Sequence, residues 1–197
     1  MRQGFVLVIS GPSGAGKTSI AQALVRTVPG MAFSVSATTR APRPGETDGV
    51  DYVFCSPERF QGMIERGELL EWATYAGKLY GTPRAPVETA LAQGTDIILD
   101  IETTGALNVR RAMPGSVLVF VVPPRFTDLE RRIIARSGVG AAELARRLAQ
   151  ARAELALSAA YDYVIVNEVL AEAVEQVKAI VIAERCRAAR PQLLGSL

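Results

Sequence analysis

Residues 11–18 carry the most specific chemistry of this sequence, because they match the pattern G-x-x-x-x-G-K-[ST]. A short apolar run at residues 5–9 precedes them, and residues 19–27 follow with apolar side chains at helical spacing. Glycines let such a loop turn backbone N–H groups toward phosphate oxygens, and the start of a helix adds partial positive charge. The pattern predicts that Lys17 reaches the outer phosphates of a nucleoside triphosphate and that the Thr18 hydroxyl ligates Mg²⁺. The residues of this loop, called the P-loop below, are Gly11, Pro12, Ser13, Gly14, Ala15, Gly16, Lys17 and Thr18.

A second group of phosphate-binding residue types follows on a proline-rich loop, where Arg40 and Arg43 lie three positions apart. Proline restricts the loop, so that two guanidinium groups are held ready at low entropic cost. Arginine binds phosphate oxygens through two parallel hydrogen bonds, and the hydroxyls of Tyr52 and Tyr80 can donate to the same group. This loop, called the arginine loop below, therefore favours a second phosphate group as a ligand.

The composition of the 197-residue chain is that of an ordinary globular protein, with 49% hydrophobic and 21% charged residues. A net charge of +2 gives no reason to expect nonspecific binding of nucleic acid. The sequence contains no histidine, which removes the commonest general base and the commonest metal ligand. Any reaction of this chain must therefore work without either.

The remaining global features indicate a reducing compartment. Cys55 and Cys186 lack the spacing of zinc ligands, and we expect both to be small buried hydrophobic residues. The first four residues leave no room for a signal peptide, and no apolar run has the length of a membrane span. We therefore expect a cytoplasmic enzyme without a membrane or nucleic-acid partner, while the oligomeric state stays open.

Four apolar runs rich in valine and isoleucine predict buried parallel strands at residues 5–9, 96–99, 117–122 and 163–166. A further strand at residues 32–36 is expected to join the same sheet. Helical patterns between the runs include residues 19–27 and 170–189. This alternation is typical of an α/β fold with a parallel sheet flanked by helices.

Two stretches differ in character from the rest. Residues 37–93 combine the arginine loop with a helical pattern near 57–66 and aromatic residues at 71–80, which suggests a small inserted lobe. Residues 127–158 are helical and rich in alanine and arginine, a pattern that also fits a plain pair of solvated basic helices. We therefore expect one domain with a core of residues 1–36, 94–126 and 159–197.

Residues 38–54 carry a signature that gains specificity from the P-loop before it. The signature positions are Thr39, Arg40, Arg43, Glu46, Gly49, Tyr52 and Phe54. Further matches follow at residues 71–73, 80–82 and 100–102. From the P-loop to Asn167, the chain in this way resembles the guanylate kinase family. The resemblance implies a P-loop nucleoside-monophosphate kinase-like fold with a GMP-binding lobe at residues 37–93 and a helical lid at residues 127–158. It also implies ATP-dependent phosphorylation of GMP to GDP, with Mg²⁺ as cofactor.

The resemblance assigns one set of residues to GMP. It implies that the phosphate of GMP is held by Ser36, Arg40, Arg43, Tyr52 and Tyr80. Glu71 would accept hydrogen bonds from N1–H and N2–H₂ of guanine, with the hydroxyls of Thr82 and Ser36 completing the recognition. Taken alone, Glu71 could equally be an acid on a helix surface, and its neighbour Trp72 could be part of the core.

Asp100 follows the strand predicted at residues 96–99, where such folds deliver an acid to the phosphate site. We expect it to orient Mg²⁺ through water, beside Thr18, or to contact GMP. The alternative is that Asp100 caps the next helix.

On the ATP side, the resemblance places Arg132, Arg136 and Arg147 in the lid, with Arg136 and Arg147 contacting the transferring phosphoryl group. Asn167 lies at the family's adenine-contacting position, and a simple cap of a strand end fits the sequence equally well. The expected catalytic residues are Lys17, Arg40, Arg136 and Arg147.

The chain departs from the family pattern at Thr103-Thr104 and at residues 135–142, which affects packing beside GMP and the hinge of the lid. Two other functions stay open at this point. A related P-loop kinase of a phosphorylated sugar would not need Glu71 and Thr82, and a catalytically inactive guanylate kinase-like module would bind peptides instead. Because Lys17, Thr18 and the lid arginines are all present, the sequence favours the ATP:GMP phosphotransferase.

Overall fold

The computed structural model describes residues 2–137 and 140–187, and in this part of the chain the strands form two β-sheets. The strands are β1 Val6–Ser10, β2 Met31–Phe33, β3 Ala37–Thr38, β4 Val53–Phe54, β5 Leu69–Tyr75, β6 Lys78–Pro83, β7 Asp96–Asp100, β8 Val117–Val122 and β9 Tyr163–Val166. The helices are α1 Lys17–Thr27, α2 Pro57–Glu65, α3 Arg84–Ala92, α4 Thr103–Ala112, α5 Phe126–Ser137, α6 Ala141–Leu155 and α7 Leu170–Arg185.

The first sheet is parallel, with the strand order β2-β7-β1-β8-β9. Side chains of β1 alternate between its two faces: Leu7 and Ile9 pack against α1 and α7, whereas Val6 and Val8 pack against α3 and α4. Because helices cover both faces, these strands are apolar without polar alternation. The predicted α/β sheet is confirmed, although β2 ends at Phe33 and not at residue 36.

The second sheet lies within residues 37–83 and has the strand order β4-β3-β6-β5. Strands β5 and β6 form an antiparallel hairpin, and Phe60 and Met63 of α2 pack beneath the sheet. Successive side chains of a strand point to opposite faces. On β5, Glu71 is therefore buried while Trp72 is 43% exposed, so the alternatives of a helix-surface acid and a core tryptophan are both wrong.

The predicted helical stretch at residues 127–158 contains α5 and α6, and residues 138 and 139 between them lie outside the described residues. The two helices pack on each other through Leu129 and Ala151, and the guanidinium of Arg152 lies 4.9 Å from the ring centre of Phe126. These contacts make α5 and α6 a packed pair with an apolar seam.

The prediction of buried cysteines is wrong for Cys186, which is an exposed free thiol, while Cys55 is half-buried. The physical reason is that α7 ends at Arg185, four residues before the predicted end, and Cys186 occupies its C-cap. Residues 188 and 189 of the predicted helix lie outside the described residues. Within residues 2–137 and 140–187, we find no helix with both the length and the apolar character that a membrane crossing requires.

The buried carboxylate of Asp96 binds Arg2, which precedes β1, and Arg185, which ends α7. Asp96 is fully buried at the start of β7 and accepts hydrogen bonds from Arg2 at 2.7 and 2.9 Å and from Arg185 at 2.8 Å. It also accepts a bond from the Phe5 backbone N–H at 3.1 Å. Two guanidinium groups and a backbone donor thus compensate the desolvation of one carboxylate.

We expect Asp96→Asn to destabilise the protein by roughly 3 kcal/mol, because a buried ion pair that loses one charge leaves its partners uncompensated. Urea unfolding followed by circular dichroism measures this change. Glu68→Gln in the exposed Arg66–Glu68 pair is the control and should leave the unfolding midpoint unchanged. Equal midpoints for wild type and Asp96→Asn would contradict a stabilising role of Asp96.

Candidate active site

The P-loop connects β1 to α1 through three glycines with positive φ. Gly11, Gly14 and Gly16 have φ angles of 134°, 90° and 95°, which other residues rarely adopt. A Cβ atom at Gly11 would lie 2.2 Å from the carbonyl oxygen of Val121 on β8. The loop is therefore confined both by its own backbone and by the neighbouring strand.

Lys17 is buried at the start of α1, and its Nζ donates to the carbonyl oxygens of Gly11 at 2.6 Å and Pro12 at 3.2 Å. The ammonium group thus lies against the loop itself. Together with the N-terminus of α1, it gives this end of the sheet the positive charge of an anion-binding site.

Thr18 and Asp100 meet at the carboxyl ends of adjacent strands. The parallel register pairs Ile9 of β1 with Asp100 of β7, and the Thr18 hydroxyl donates to Asp100 Oδ2 at 2.5 Å. The alternative that Asp100 caps α4 is wrong, because α4 begins at Thr103 and its N-cap residue is Glu102. A hydroxyl beside a carboxylate is the oxygen donor set that Mg²⁺ prefers.

The arginine loop is organised by Glu46. Its carboxylate accepts two bonds from the Arg40 guanidinium, both at 2.8 Å, and one from the Arg43 backbone N–H at 2.7 Å. The hydrogen bonds from Arg40 lower the pKa of Glu46 to about 2, so the carboxylate stays ionised near neutral pH. The sequence signature included Glu46 but did not suggest that it orients Arg40.

Aromatic rings surround the Arg40 guanidinium. Its central carbon lies 5.2 Å from the ring centre of Tyr52 and 5.6 Å from that of Phe54, within the range of cation–π attraction. The rings of Tyr52 and Tyr80 meet edge to face at 6.2 Å. The structure thus brings Arg40, Tyr52 and Tyr80 together, whereas the Arg43 side chain is exposed.

Ser36 lies next to the same sheet, where its carbonyl oxygen accepts a hydrogen bond from the Val53 N–H at 2.9 Å. Its side chain is half-buried. Ser36 lies between β2 of the first sheet and β3 of the second, in the segment of chain that connects the two sheets.

Glu71 is buried in the second sheet opposite Thr82, which is its register partner on β6. The Thr82 hydroxyl donates to Glu71 Oε1 at 2.8 Å. Burial raises the pKa of Glu71 above its ordinary value, because removal from water disfavours the charged form. Gly105 of α4 faces the other oxygen, since a Cβ there would lie 2.9 Å from Glu71 Oε2.

The three arginines expected in the lid differ in what the structure shows of their contacts. The Arg132 guanidinium donates to the carbonyl oxygens of Gly14 at 3.5 Å and Asn167 at 3.3 Å. Arg147 donates to Glu143 at 2.8 Å and lines a cavity with Ser13 of the P-loop. Arg136 falls in α5, and its side chain lies outside the described part of the structure. Tyr75 of β5 lines the cavity as well, so α6, the P-loop and the second sheet all border it.

The sequence match at residues 100–102 included Glu102, but no role was assigned to this residue. Burial raises its pKa, the charge of Lys17 opposes this shift, and one carboxylate oxygen has no hydrogen-bond partner among the described residues. A second acid directly after a buried strand was the signal that pointed to it. Glu154 of α6 was missed: it is buried, burial raises its pKa, and it lines the cavity with Ser13.

Lys17 with the P-loop backbone, and Arg40 with its neighbouring tyrosines, form two groups of residues whose chemistry suits phosphate. Together with the parallel sheet that carries the P-loop, this arrangement is typical of the class of the P-loop kinases.

Comparison with known proteins identifies the family. A family model described as guanylate kinase matches residues 3–184. The guanylate kinase of Desulfitobacterium hafniense (strain Y51) is 49% identical, and the match covers 95% of this chain and 94% of the relative. The crystal structure of guanylate kinase from Anaplasma phagocytophilum superposes with a TM-score of 0.83 at 34% identity, covering 99% of this chain and 93% of the other. The chain therefore belongs to the guanylate kinase family of nucleoside-monophosphate kinases.

A more distant likeness concerns the fold alone. A sugar kinase from Janibacter sp. HTCC2649 superposes with a TM-score of 0.51 at 20% identity, covering 91% of this chain and 95% of the other. The shared feature is the α/β architecture of P-loop kinases, a fold that proteins with many different substrates have in common.

The pH dependence of stability should reveal the buried Glu71. The pKa of Glu71 is raised in the folded state. Below its unfolded-state pKa, at roughly pH 4, Glu71 is protonated and does not reduce the stability of the fold. As the pH rises through the folded-state pKa, ionisation of the buried carboxyl group destabilises the fold. Glu71→Gln keeps an acceptor for Thr82 and should raise the melting temperature at about pH 8, with the difference vanishing near about pH 4. Thermal unfolding followed by circular dichroism at both pH values measures this effect.

The matched control is Glu65→Gln, which alters an exposed carboxylate of α2 and should change the melting temperature equally at both pH values. A lower melting temperature of Glu71→Gln at the higher pH would mean that ionised Glu71 stabilises the fold, which would contradict a raised pKa.

Proposed function

We propose that this chain transfers the γ-phosphoryl group of ATP to GMP, giving ADP and GDP. Membership of the guanylate kinase family supports the reaction, and the buried Glu71–Thr82 pair is the observation that carries the choice of GMP. In this proposal the arginine loop holds the phosphate of GMP while the P-loop holds the phosphates of ATP.

The Glu71 carboxylate would read the guanine edge. An ionised carboxylate can accept from N1–H and N2–H₂ of guanine together, and the Thr82 hydroxyl fixes one of its oxygens. Adenine presents an unprotonated N1 acceptor at the same place, and a buried mismatch of this kind costs about a hundredfold or more in discrimination. A sugar-phosphate kinase would have no use for this buried pair, so that alternative is disfavoured.

The GMP phosphate would be held by the residues around Arg40. Glu46 fixes the plane of the Arg40 guanidinium in advance, which lowers the entropic cost of binding. Tyr52 and Tyr80 would donate their hydroxyls to the phosphate, and Arg43 and Ser36 would approach it from the loop and the start of the sheet. The phosphate of GMP is anionic near neutral pH and needs no general base, which fits a chain without histidine.

The ATP phosphates would lie against the P-loop N–H groups and Lys17. Thr18 and Asp100 offer oxygen donors to Mg²⁺, Asp100 through water, and no cluster of three acidic, cysteine or histidine side chains offers a separate site within the described residues. When bound, Mg²⁺ neutralises charge on the β- and γ-phosphate oxygens. The intact Lys17, Thr18 and Asp100 disfavour an inactive peptide-binding module.

The lid would complete the charge balance. Arg132, Arg136 and Arg147 would shield the repulsion between two phosphate groups held in line, with Arg136 and Arg147 nearest the transferring group. We propose residues 127–158 as a lid and residues 37–93 as a GMP-binding lobe, whose closure excludes water that would otherwise hydrolyse ATP. Two free thiols fit the reducing cytoplasm as the place of reaction.

A coupled assay of ADP formation across GMP, AMP, CMP and UMP tests this function. We expect kcat/KM for GMP to exceed that for AMP by about a hundredfold or more, and Glu71→Gln to reduce that ratio. Turnover of AMP as fast as GMP would show that Glu71 does not select the base. ATP binding without turnover of any monophosphate would favour the binding module.

The packing of Gly105 against Glu71 gives a second test. Gly105→Ala would place a methyl group 2.9 Å from Glu71 Oε2, and this end of the side chain can move while the helix keeps its shape. We expect KM for GMP to rise roughly tenfold, since the carboxylate loses its position, while KM for ATP stays unchanged. Steady-state kinetics with each substrate varied in turn measures this split.

Gly115→Ala is the matched control, because a Cβ there meets no atom within 4 Å and should leave both KM values unchanged. Equal rises of both KM values in Gly105→Ala would speak against a specific displacement of Glu71.

A further inference from the structure

Asn167 follows β9 directly and is bound on two sides. Its backbone N–H donates to the Val122 carbonyl oxygen of β8 at 2.7 Å, which fixes the end of β9. Its side-chain Nδ2 donates to the carbonyl oxygen of Ala15, also at 2.7 Å, and this contact is buried. Ala15 lies within the P-loop, so an amide at the end of β9 holds the backbone that would bind the phosphates.

The packing around this hydrogen bond is tight. A Cβ atom at Gly16 would lie 2.2 Å from Asn167 Nδ2, closer than any side chain could tolerate. Gly16 is therefore required both by its φ of 95° and by the Asn167 amide against it. The asparagine and the loop fit together as one packed unit.

The same hydrogen bond determines the direction of the next N–H group. The Ala15 carbonyl and the Gly16 N–H belong to one planar trans peptide, so they point in opposite directions. When Asn167 holds the carbonyl on its own side, the Gly16 N–H must face the other way. An N–H group fixed in this direction before the ligand arrives needs no reordering when an anion binds.

Asn167 also connects the loop to α5. Its backbone carbonyl accepts a hydrogen bond from Arg132 at 3.3 Å, and the same guanidinium reaches the Gly14 carbonyl at 3.5 Å. One arginine of α5 thus bridges the P-loop and the residue that holds it.

We propose that Asn167 is a positioning residue for the triphosphate of ATP, which holds the Ala15–Gly16 peptide so that its N–H faces the phosphates. The inference deepens the proposed function, on whose ATP side it rests, and differs from the adenine contact that the family resemblance suggested. Only 5% of the Asn167 surface is exposed, which leaves little for a base to contact.

Calorimetric titration of Asn167→Asp with the Mg²⁺ complexes of ATP, GTP and inorganic tripolyphosphate tests the proposal. The substitution keeps the shape and replaces the donor by an acceptor facing the Ala15 carbonyl. We expect ATP and tripolyphosphate to bind about tenfold more weakly by the same factor, with the preference between ATP and GTP unchanged. Unchanged tripolyphosphate binding with an altered ATP preference would establish the adenine contact and overturn the proposal.

Asn108→Asp is the matched control, since Asn108 of α4 makes the same type of bond to the Trp72 carbonyl, at 3.2 Å. It should leave all three affinities unchanged, and a loss as large as that of Asn167→Asp would overturn the proposal. These titrations need no turnover of GMP. Failure to phosphorylate GMP, with the expected binding changes intact, would therefore reject the proposed function and leave the role of Asn167 standing.

A measurement on the wild-type protein covers the case in which Asn167→Asp does not fold. The side-chain amide signals of Asn167 in a ¹⁵N NMR spectrum should exchange slowly with solvent and shift on addition of Mg²⁺–tripolyphosphate but not of adenosine. A shift with adenosine alone, or fast exchange of both amide protons, would contradict the proposal.

Discussion

The parallel pairing of β1 with β7 and β8 is the constraint on which the site depends. Carboxyl ends of parallel strands meet at one edge of a sheet, so the P-loop, Asp100 and Asn167 gather there from three distant parts of the chain. The contact between Gly11 and the Val121 carbonyl leaves no space for a methyl group. The strand register therefore determines where each of these groups lies relative to the others.

Three acidic residues illustrate how environment decides the role of a carboxylate. Asp96 is buried between two arginines, whose charges compensate its desolvation. Glu46 stays near solvent and keeps Arg40 in place, with its pKa lowered to about 2. Glu71 is buried beside the Thr82 hydroxyl, and its pKa is raised. A carboxylate held at a cost to stability is the kind of local conflict that is expected where a protein binds its ligand.

Much of the fold was predictable because its strands are short apolar runs and its P-loop has a fixed spacing. The strands at residues 117–122 and 163–166 were predicted at their observed bounds, since burial on both faces leaves an uninterrupted run of valine and isoleucine. The end of α7 and the exposure of Cys186 were not predictable, because alanine and arginine continue a helical pattern past the point where the helix stops. The hairpin of β5 and β6 was also missed as such, because its aromatic residues fit a strand or a packed helix alike.

The sequence by itself determined the P-loop, the parallel sheet and the types of residue available for phosphate binding, because these depend on local spacing and composition. Only the tertiary structure decided which of these residues meet. Thr18 reaches Asp100 across 82 positions, and Asn167 reaches Ala15 across 152. The closeness of Gly105 to Glu71 and the half-buried position of Glu102 likewise follow from packing between distant segments. Hydrogen bonds and desolvation act through distances in space, and a linear sequence does not contain those distances.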